Sequence, residues 1–177
     1  MQENDPASIT FYWCTTFVRA LFENGVRNVV ISPGSRSTPL TLAFSVHPGF
    51  KKIVSIDERS AAFQALGMAK ATQTPTVLVC TSGTALANYT PAVIEATTAG
   101  IPLIILSADR PPHLRNTGSS QTIDQIKFFG TQPVFFHEVG EPSSDPKRLK
   151  RIHLLASQAV NKSTQQTGVA HLNFSFD

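Results

Sequence analysis

The sequence predicts an α/β fold: one parallel sheet of about six strands with helices on both faces. Three observations carry that prediction. Short β-branched runs such as VVIS, TVLV and PLIIL are apolar at successive positions, as strands buried on both faces require. Segments of helical period alternate with them throughout the chain, and the connections are mostly short, which suits right-handed strand-helix-strand crossovers.

In chain order, the first helix is expected over 8–23 and the first strand over 28–32, where VVIS begins. The polar turn PGSR leads into a helix over 37–46. A strand follows at 52–56, ending in alternating apolar residues, and then a helix at 58–71, where Ala61, Ala62, Ala65, Leu66 and Ala69 recur at helical spacing. TVLVC predicts a strand at 76–81 and ALANYTPAVIEA a helix over 84–99. LIILS predicts a strand at 103–107. After a long irregular stretch, 108–121, rich in Pro, Arg, Ser and Gly, a short helix is expected near 122–129. A strand at 134–139, a helix over 146–161 and a strand at 169–174 complete the pattern. EPSSDP, 141–146, is an ordinary strand-to-helix connection, so residues 1–177 read as a single domain.

Composition narrows the function classes. A chain of 177 residues with 41% hydrophobic and 15% charged side chains has the length for a substantial core and is expected to fold. Its net charge of +3 is spread without a basic block or an aromatic and basic stripe, which favours small anionic ligands over nucleic acid. Cys14 and Cys80 are expected as reduced core thiols, without a disulfide framework or zinc site. MQENDPAS lacks the basic start and apolar core of a signal peptide, and no apolar run reaches membrane-spanning length; a cytoplasmic location is the expectation by elimination. The five histidines show no metal-ligand spacing, and Phe128, Phe129, Phe135 and Phe136 read as core or interface residues.

Three segments share one plan, an apolar strand, a polar Gly or Arg turn and a helix: VVISPGSRST, the run ending in IDER, and TVLVCTSGTALA. In an open parallel sheet the carboxyl ends of the strands form one rim where ligands bind, so these turns should converge. Glu58 stands where strand gives way to helix. Taken alone, Asp57 and Glu58 suit simple helix initiation, since carboxylates there meet free amides and the helix dipole. SPGSRSTP offers a guanidinium and hydroxyls for an anion, or a plain capped turn with a solvated arginine. TSGT alone fits a helix cap or an anion cradle.

Taken together and in order, VVISPGSRSTPLTLAF, IDERSAAFQALGMAKA, VLVCTSGTALANYTPAVIEA, PLIILSADRPP and GSSQTIDQ resemble the amino-terminal region of the 2-succinyl-5-enolpyruvyl-6-hydroxy-3-cyclohexene-1-carboxylate synthases. These are thiamine-diphosphate-dependent transferases of menaquinone or phylloquinone biosynthesis. The resemblance implies the pyrimidine-binding domain of a longer enzyme whose middle and diphosphate-binding domains lie outside these residues. It also implies a homodimer or dimer of dimers, with Mg2+ or Mn2+ held by the carboxyl-terminal domain, and makes this segment alone catalytically incomplete.

Residue by residue, the resemblance places Glu58 on ring nitrogen N1′ of the aminopyrimidine, where a partly desolvated carboxylate shares a proton. It places Pro33, Gly34, Ser82, Gly83 and Thr84 against the pyrimidine half of the cofactor. Ser35, Arg36, Arg110 and Gln121 fall on substrate-binding positions, and the substrates implied are 2-oxoglutarate and isochorismate. No residue of the segment is assigned to metal. Arg115 matches no motif and is expected as a solvated loop charge; Ser119, Ser120 and Asp124 stay open. Two alternatives remain at this point. One is another thiamine-diphosphate 2-oxo acid decarboxylase or carboligase, disfavoured by the pair Arg36 and Arg110. The other is a noncatalytic α/β binding or dimerisation module, which fold alone does not exclude.

Overall fold

A computed structural model describes residues 5–177. Its centre is a six-stranded, all-parallel sheet formed by β1 (Asn28–Ile31), β2 (Lys51–Val54), β3 (Thr76–Cys80), β4 (Leu103–Asp109), β5 (Phe135–Gly140) and β6 (Val169–Ser175), in the order β2-β1-β3-β4-β6-β5. The α/β expectation stands, and side-chain alternation explains its two layers. Val29, Ile31, Val77, Val79, Ile104 and Leu106 point to one face. There they bury α1 (Pro6–Glu23), α2 (Thr38–Val46) and α6 (Pro146–Gln165) through Phe17, Leu40, Phe44 and Leu155. Val30, Leu78, Cys80, Leu103 and Ile105 point to the other face, against α3 (Glu58–Thr72), α4 (Thr84–Asn88) and α5 (Thr90–Ala99).

The helix starts follow from local chemistry. Asp5 and Asp145 cap α1 and α6 by accepting the amides of Ser8 (3.0 Å) and Arg148 (2.9 Å), each followed by proline at the first turn. Cys14 and Cys80 are free and buried, as expected of core thiols. Among the described residues no helix is long and apolar enough to cross a membrane.

The structure corrects the sequence expectation in two elements. The helix expected over 84–99 is broken at Tyr89 into α4 and α5, because Pro91 has no amide to continue the ladder and the Tyr89 N–H turns back to the Leu86 carbonyl (3.1 Å). The short helix expected near 122–129 does not form. The Asp124 carboxylate takes the Ile126 amide (2.9 Å), and Gln121 and Lys127 adopt left-handed φ values of 56° and 49°, so side-chain bonds and kinks replace a helical ladder. The connection from β4 to β5 is therefore irregular apart from a 3-10 turn at Pro112–Leu114.

This connection covers part of the sheet where a helix would otherwise lie. Beneath it β4 and β6 turn Ser107, Asp109, His171, Asn173 and Ser175 inward, all fully buried. The Ser107 hydroxyl has one hydrogen, given to Asn173 Oδ1 (2.7 Å); His171 Nε2, 2.8 Å from the same hydroxyl, is therefore the donor of that second bond. The imidazole is neutral, with an unpartnered Nδ1, and lies between the rings of Phe129 and Phe136 at 5.1 and 5.2 Å. Burial lowers its pKa from 6.5 to about 3.

Between those two values the unfolded chain binds a proton that the folded chain does not, so stability rises with pH across that window and is fully present above 6.5. The slope from one such group reaches about 1.4 kcal/mol per pH unit. In urea unfolding, acidification from pH 7 to pH 5 is expected to destabilise the native sequence by about 2 kcal/mol more than His171→Gln. Equal losses would refute the buried neutral histidine.

Candidate functional site at the carboxyl edge of the sheet

The chain runs from β1 to β2 through α2 on one face and from β2 to β3 through α3 on the other, so the order reverses at β1 and β3. In open parallel sheets such a reversal is where ligands bind, at the carboxyl ends of the two strands. The turn after β1 supplies Pro33, Gly34, Ser35 and Arg36, and the turn after β3 supplies Thr81, Ser82, Gly83 and Thr84. They touch at Gly34, where a Cβ would lie 2.4 Å from the Thr81 Cβ. Glycine is required there by the approach of the second turn.

At the start of α3 the two carboxylates divide their tasks. Asp57 is the cap: its Oδ1 accepts the Ser60 amide at 2.8 Å, and the bonds from Ser60 hold its carboxyl below the usual range. Glu58 opens the helix half-exposed, and among the described residues its carboxylate has no hydrogen-bond or ion-pair partner. Behind it lie the buried Cys80 thiol and the Tyr89 hydroxyl, which donates to the Val79 carbonyl (3.0 Å). Burial pushes both pKa values up, and the negative charge of Glu58 adds to each shift.

The two arginines come together at the same edge. Partial burial lowers the Arg36 pKa, neighbouring Arg110 lowers it further, and Asp177 opposes both. Arg36 Nη1 donates to the Phe176 carbonyl (2.9 Å) and Arg110 Nε to the Ser120 carbonyl (2.8 Å), leaving N–H groups of each guanidinium for an anion. Gln121 joins the turn after β3: its Nε2 donates to the Ser82 carbonyl (3.2 Å), and its own carbonyl accepts from Ser82 Oγ (3.0 Å). Pro33, Ser35 and Thr84 stand exposed. The edge thus presents a carboxylate without a partner among the described residues, a pair of cations and two polar turns in contact with each other. A separate cavity of about 320 Å³ lies within the irregular connection, between Leu114 and Ile126.

Residues 14–128 match the family described as thiamine pyrophosphate enzyme, N-terminal TPP binding domain. The chain belongs to the thiamine pyrophosphate enzymes. It is 49% identical over 165 residues, 93% of its length, to the 2-succinyl-5-enolpyruvyl-6-hydroxy-3-cyclohexene-1-carboxylate synthase of Haloquadratum walsbyi. The Haloarcula marismortui and Listeria innocua proteins of the same name are 48% and 47% identical over 96% and 92% of this chain. The chain spans 27%, 29% and 28% of those three relatives.

The residues fit a thiamine pyrophosphate pyrimidine on one structural ground: Asp57 takes the capping duty and leaves the Glu58 carboxylate without a partner among the described residues. Sequence reasoning missed two things here. Arg115, expected as a solvated charge, instead bridges Asp109 (3.1 Å) and Glu138 with its side chain only 21% exposed. Burial favours losing its proton, and the two carboxylates more than offset this. Gln125, to which the QTIDQ motif lends no role, is fully buried and accepts the Gly83 amide (2.8 Å). The available signal was the polar residue at alternate positions of otherwise apolar strands: Ser107 and Asp109 on β4, and His171, Asn173 and Ser175 on β6.

Gly34→Ala is expected to lose about 1–3 kcal/mol in urea unfolding through overpacking against Thr81. Adding Thr81→Gly should return part of that loss; a Gly34→Ala chain as stable as the native one would show that the turns are not in close contact.

Proposed function

We propose that this chain is the pyrimidine-binding domain of a 2-succinyl-5-enolpyruvyl-6-hydroxy-3-cyclohexene-1-carboxylate synthase. The enzyme would remove carbon dioxide from 2-oxoglutarate and add the remaining four-carbon unit to isochorismate. The observation that carries the reading is Glu58, a carboxylate with no hydrogen-bond or ion-pair partner among the described residues, on the same strand-end rim from which Arg36 and Arg110 project as neighbours of each other. Two cations at one edge favour substrates with carboxylates, which supports this transferase over other thiamine-diphosphate decarboxylases.

Thiamine diphosphate supplies the carbon nucleophile and the electron sink; its diphosphate and Mg2+ or Mn2+ would be held by a carboxyl-terminal domain, across a dimer interface. Glu58 would share a proton with the ring nitrogen N1′ of a bound pyrimidine, and its half-exposed carboxylate would give up its remaining water there. Pro33, Gly34, Ser82, Gly83 and Thr84 form the wall against the ring. Ser35 and Arg36 bind isochorismate, and Arg110 with Gln121 takes a substrate carboxylate. The assembly works in the cytoplasm as a homodimer or dimer of dimers.

In an intact enzyme carrying this segment, Glu58→Gln is expected to lower kcat by about 10²-fold or more, measured as thiamine-diphosphate-dependent consumption of isochorismate with 2-oxoglutarate. Its urea midpoint should not change, because Asp57 keeps the helix cap. Near-native turnover in the variant would remove Glu58 from the chemistry. Arg36→Gln should raise KM for isochorismate about tenfold or more, the worth of a charge-assisted bond; an unchanged KM would place that substrate elsewhere.

A further inference from the structure

Gln125 lies in the irregular connection between β4 and β5, yet its side chain is fully buried and its amide is used at both ends. Oε1 accepts from the Gly83 N–H (2.8 Å), and Nε2 donates to the Ala108 carbonyl (3.1 Å) and to Asn173 Oδ1 (2.8 Å). The orientation of the amide is fixed from the far end. Asn173 Nδ2 stands 2.8 Å from Asp109 Oδ2 and 2.9 Å from Glu138 Oε2, and an amide facing two carboxylates must present its NH2 group to them. Asn173 therefore turns its oxygen to Ser107 and Gln125. Gln125 must answer with its NH2, which leaves its oxygen for Gly83. Arg115 bridges the two carboxylates, so the chain of bonds begins at a paired charge and ends at a single backbone amide.

The turn that receives this bond is also packed at Thr81 against Gly34, but among the described residues the Gly83 N–H has no acceptor other than Gln125. Gly83 has φ 83° and ψ −140°, a conformation open to glycine, and α4 after it has no side-chain cap. Gln121 also grips Ser82, through its own carbonyl and its side-chain amide, but neither bond reaches the Gly83 N–H. The geometry points to Gln125 as a positioning residue for the reaction: it fixes the cofactor-facing turn Ser82–Thr84 relative to the end of β4 that carries Arg110. The inference rests on the cofactor assignment under Proposed function. A purely structural glutamine would stabilise the loop and leave cofactor affinity alone. A positioning glutamine acts on the turn and on what binds there.

The test uses an intact enzyme carrying this segment, compared with Gln125→Met and Gln125→Glu. Methionine keeps the length and loses every hydrogen bond; glutamate keeps an acceptor for Gly83 but, ionised, has no hydrogen for Ala108 or Asn173. Both variants are expected to exchange amide hydrogens at least tenfold faster in the peptide containing Gly83, with unchanged exchange in the peptide spanning β1. Both should need about tenfold more thiamine diphosphate for half-maximal activation, with KM for 2-oxoglutarate within about twofold of the parent. Native cofactor response with native Gly83 exchange in a folded variant would overturn the inference. So would a uniform rise in exchange across the strands with unchanged cofactor response, which would make Gln125 a stability residue only. Recovery of cofactor affinity in Gln125→Glu alone would overturn the argument from bond direction. A parent with no thiamine diphosphate response would count against the proposed function instead, and local Gly83 exchange would still decide whether Gln125 holds the turn.

Discussion

Parallel pairing of β1 with both β2 and β3 is the constraint on which the rest of the structure depends. A right-handed crossover to each side obliges the chain to use opposite faces of the sheet, so α2 and α3 diverge and leave the strand ends uncovered between them. The turns after β1 and β3 are then neighbours by topology, before any side chain is chosen. Side chains decide how near they come, and Gly34 against Thr81 sets that separation at the limit a backbone allows. Glu58, at the end of the strand on the other side of β1, is brought to the same rim by the same pairing.

That part of the molecule was legible in the sequence because its information is local. Doubly buried strands announce themselves in runs such as VVIS and LIIL, helices in their period, and each polar turn sits directly after its strand. The connection from β4 to β5 was not legible, because nothing local determines it. Gln125 finds partners 42, 17 and 48 residues away, and Arg115 reaches 23 residues to Glu138. An expectation built on neighbouring residues gave a helix at 122–129 and a solvated arginine, when the folded sheet had already placed acceptors and carboxylates for both. The break at Tyr89 lies between these cases: Pro91 marks it locally, but the helical period runs on through both sides of it.

The buried polar cluster changes what kind of core this is. The inward positions of β4 and β6 could have been filled with valine or leucine at less risk, since a polar group left unpaired in a core is costly. Asn173 instead uses both amide hydrogens and both acceptor positions of its oxygen, and Asp109, buried to a degree that raises its pKa, is compensated by Asn173, the Arg110 amide and Arg115. His171 Nδ1, Ser175 Oγ and Arg115 Nε lack partners, but the bonds centred on Asn173 and Asp109 are satisfied, and a satisfied network selects one arrangement among many similar packings. Here the arrangement selected is that of an irregular segment which has no ladder of its own.

The pairing of Asp57 with Glu58 has a consequence for how the protein tolerates change. Because the aspartate secures the helix and the glutamate is left without an intramolecular duty, damage at the second position is invisible to folding. Quality control in a cell acts on unfolded chains, so such damaged chains would accumulate to normal abundance. They would be fully formed. Substitutions at Gly34, by contrast, would register as missing protein, so two adjacent parts of one site would fail in opposite ways.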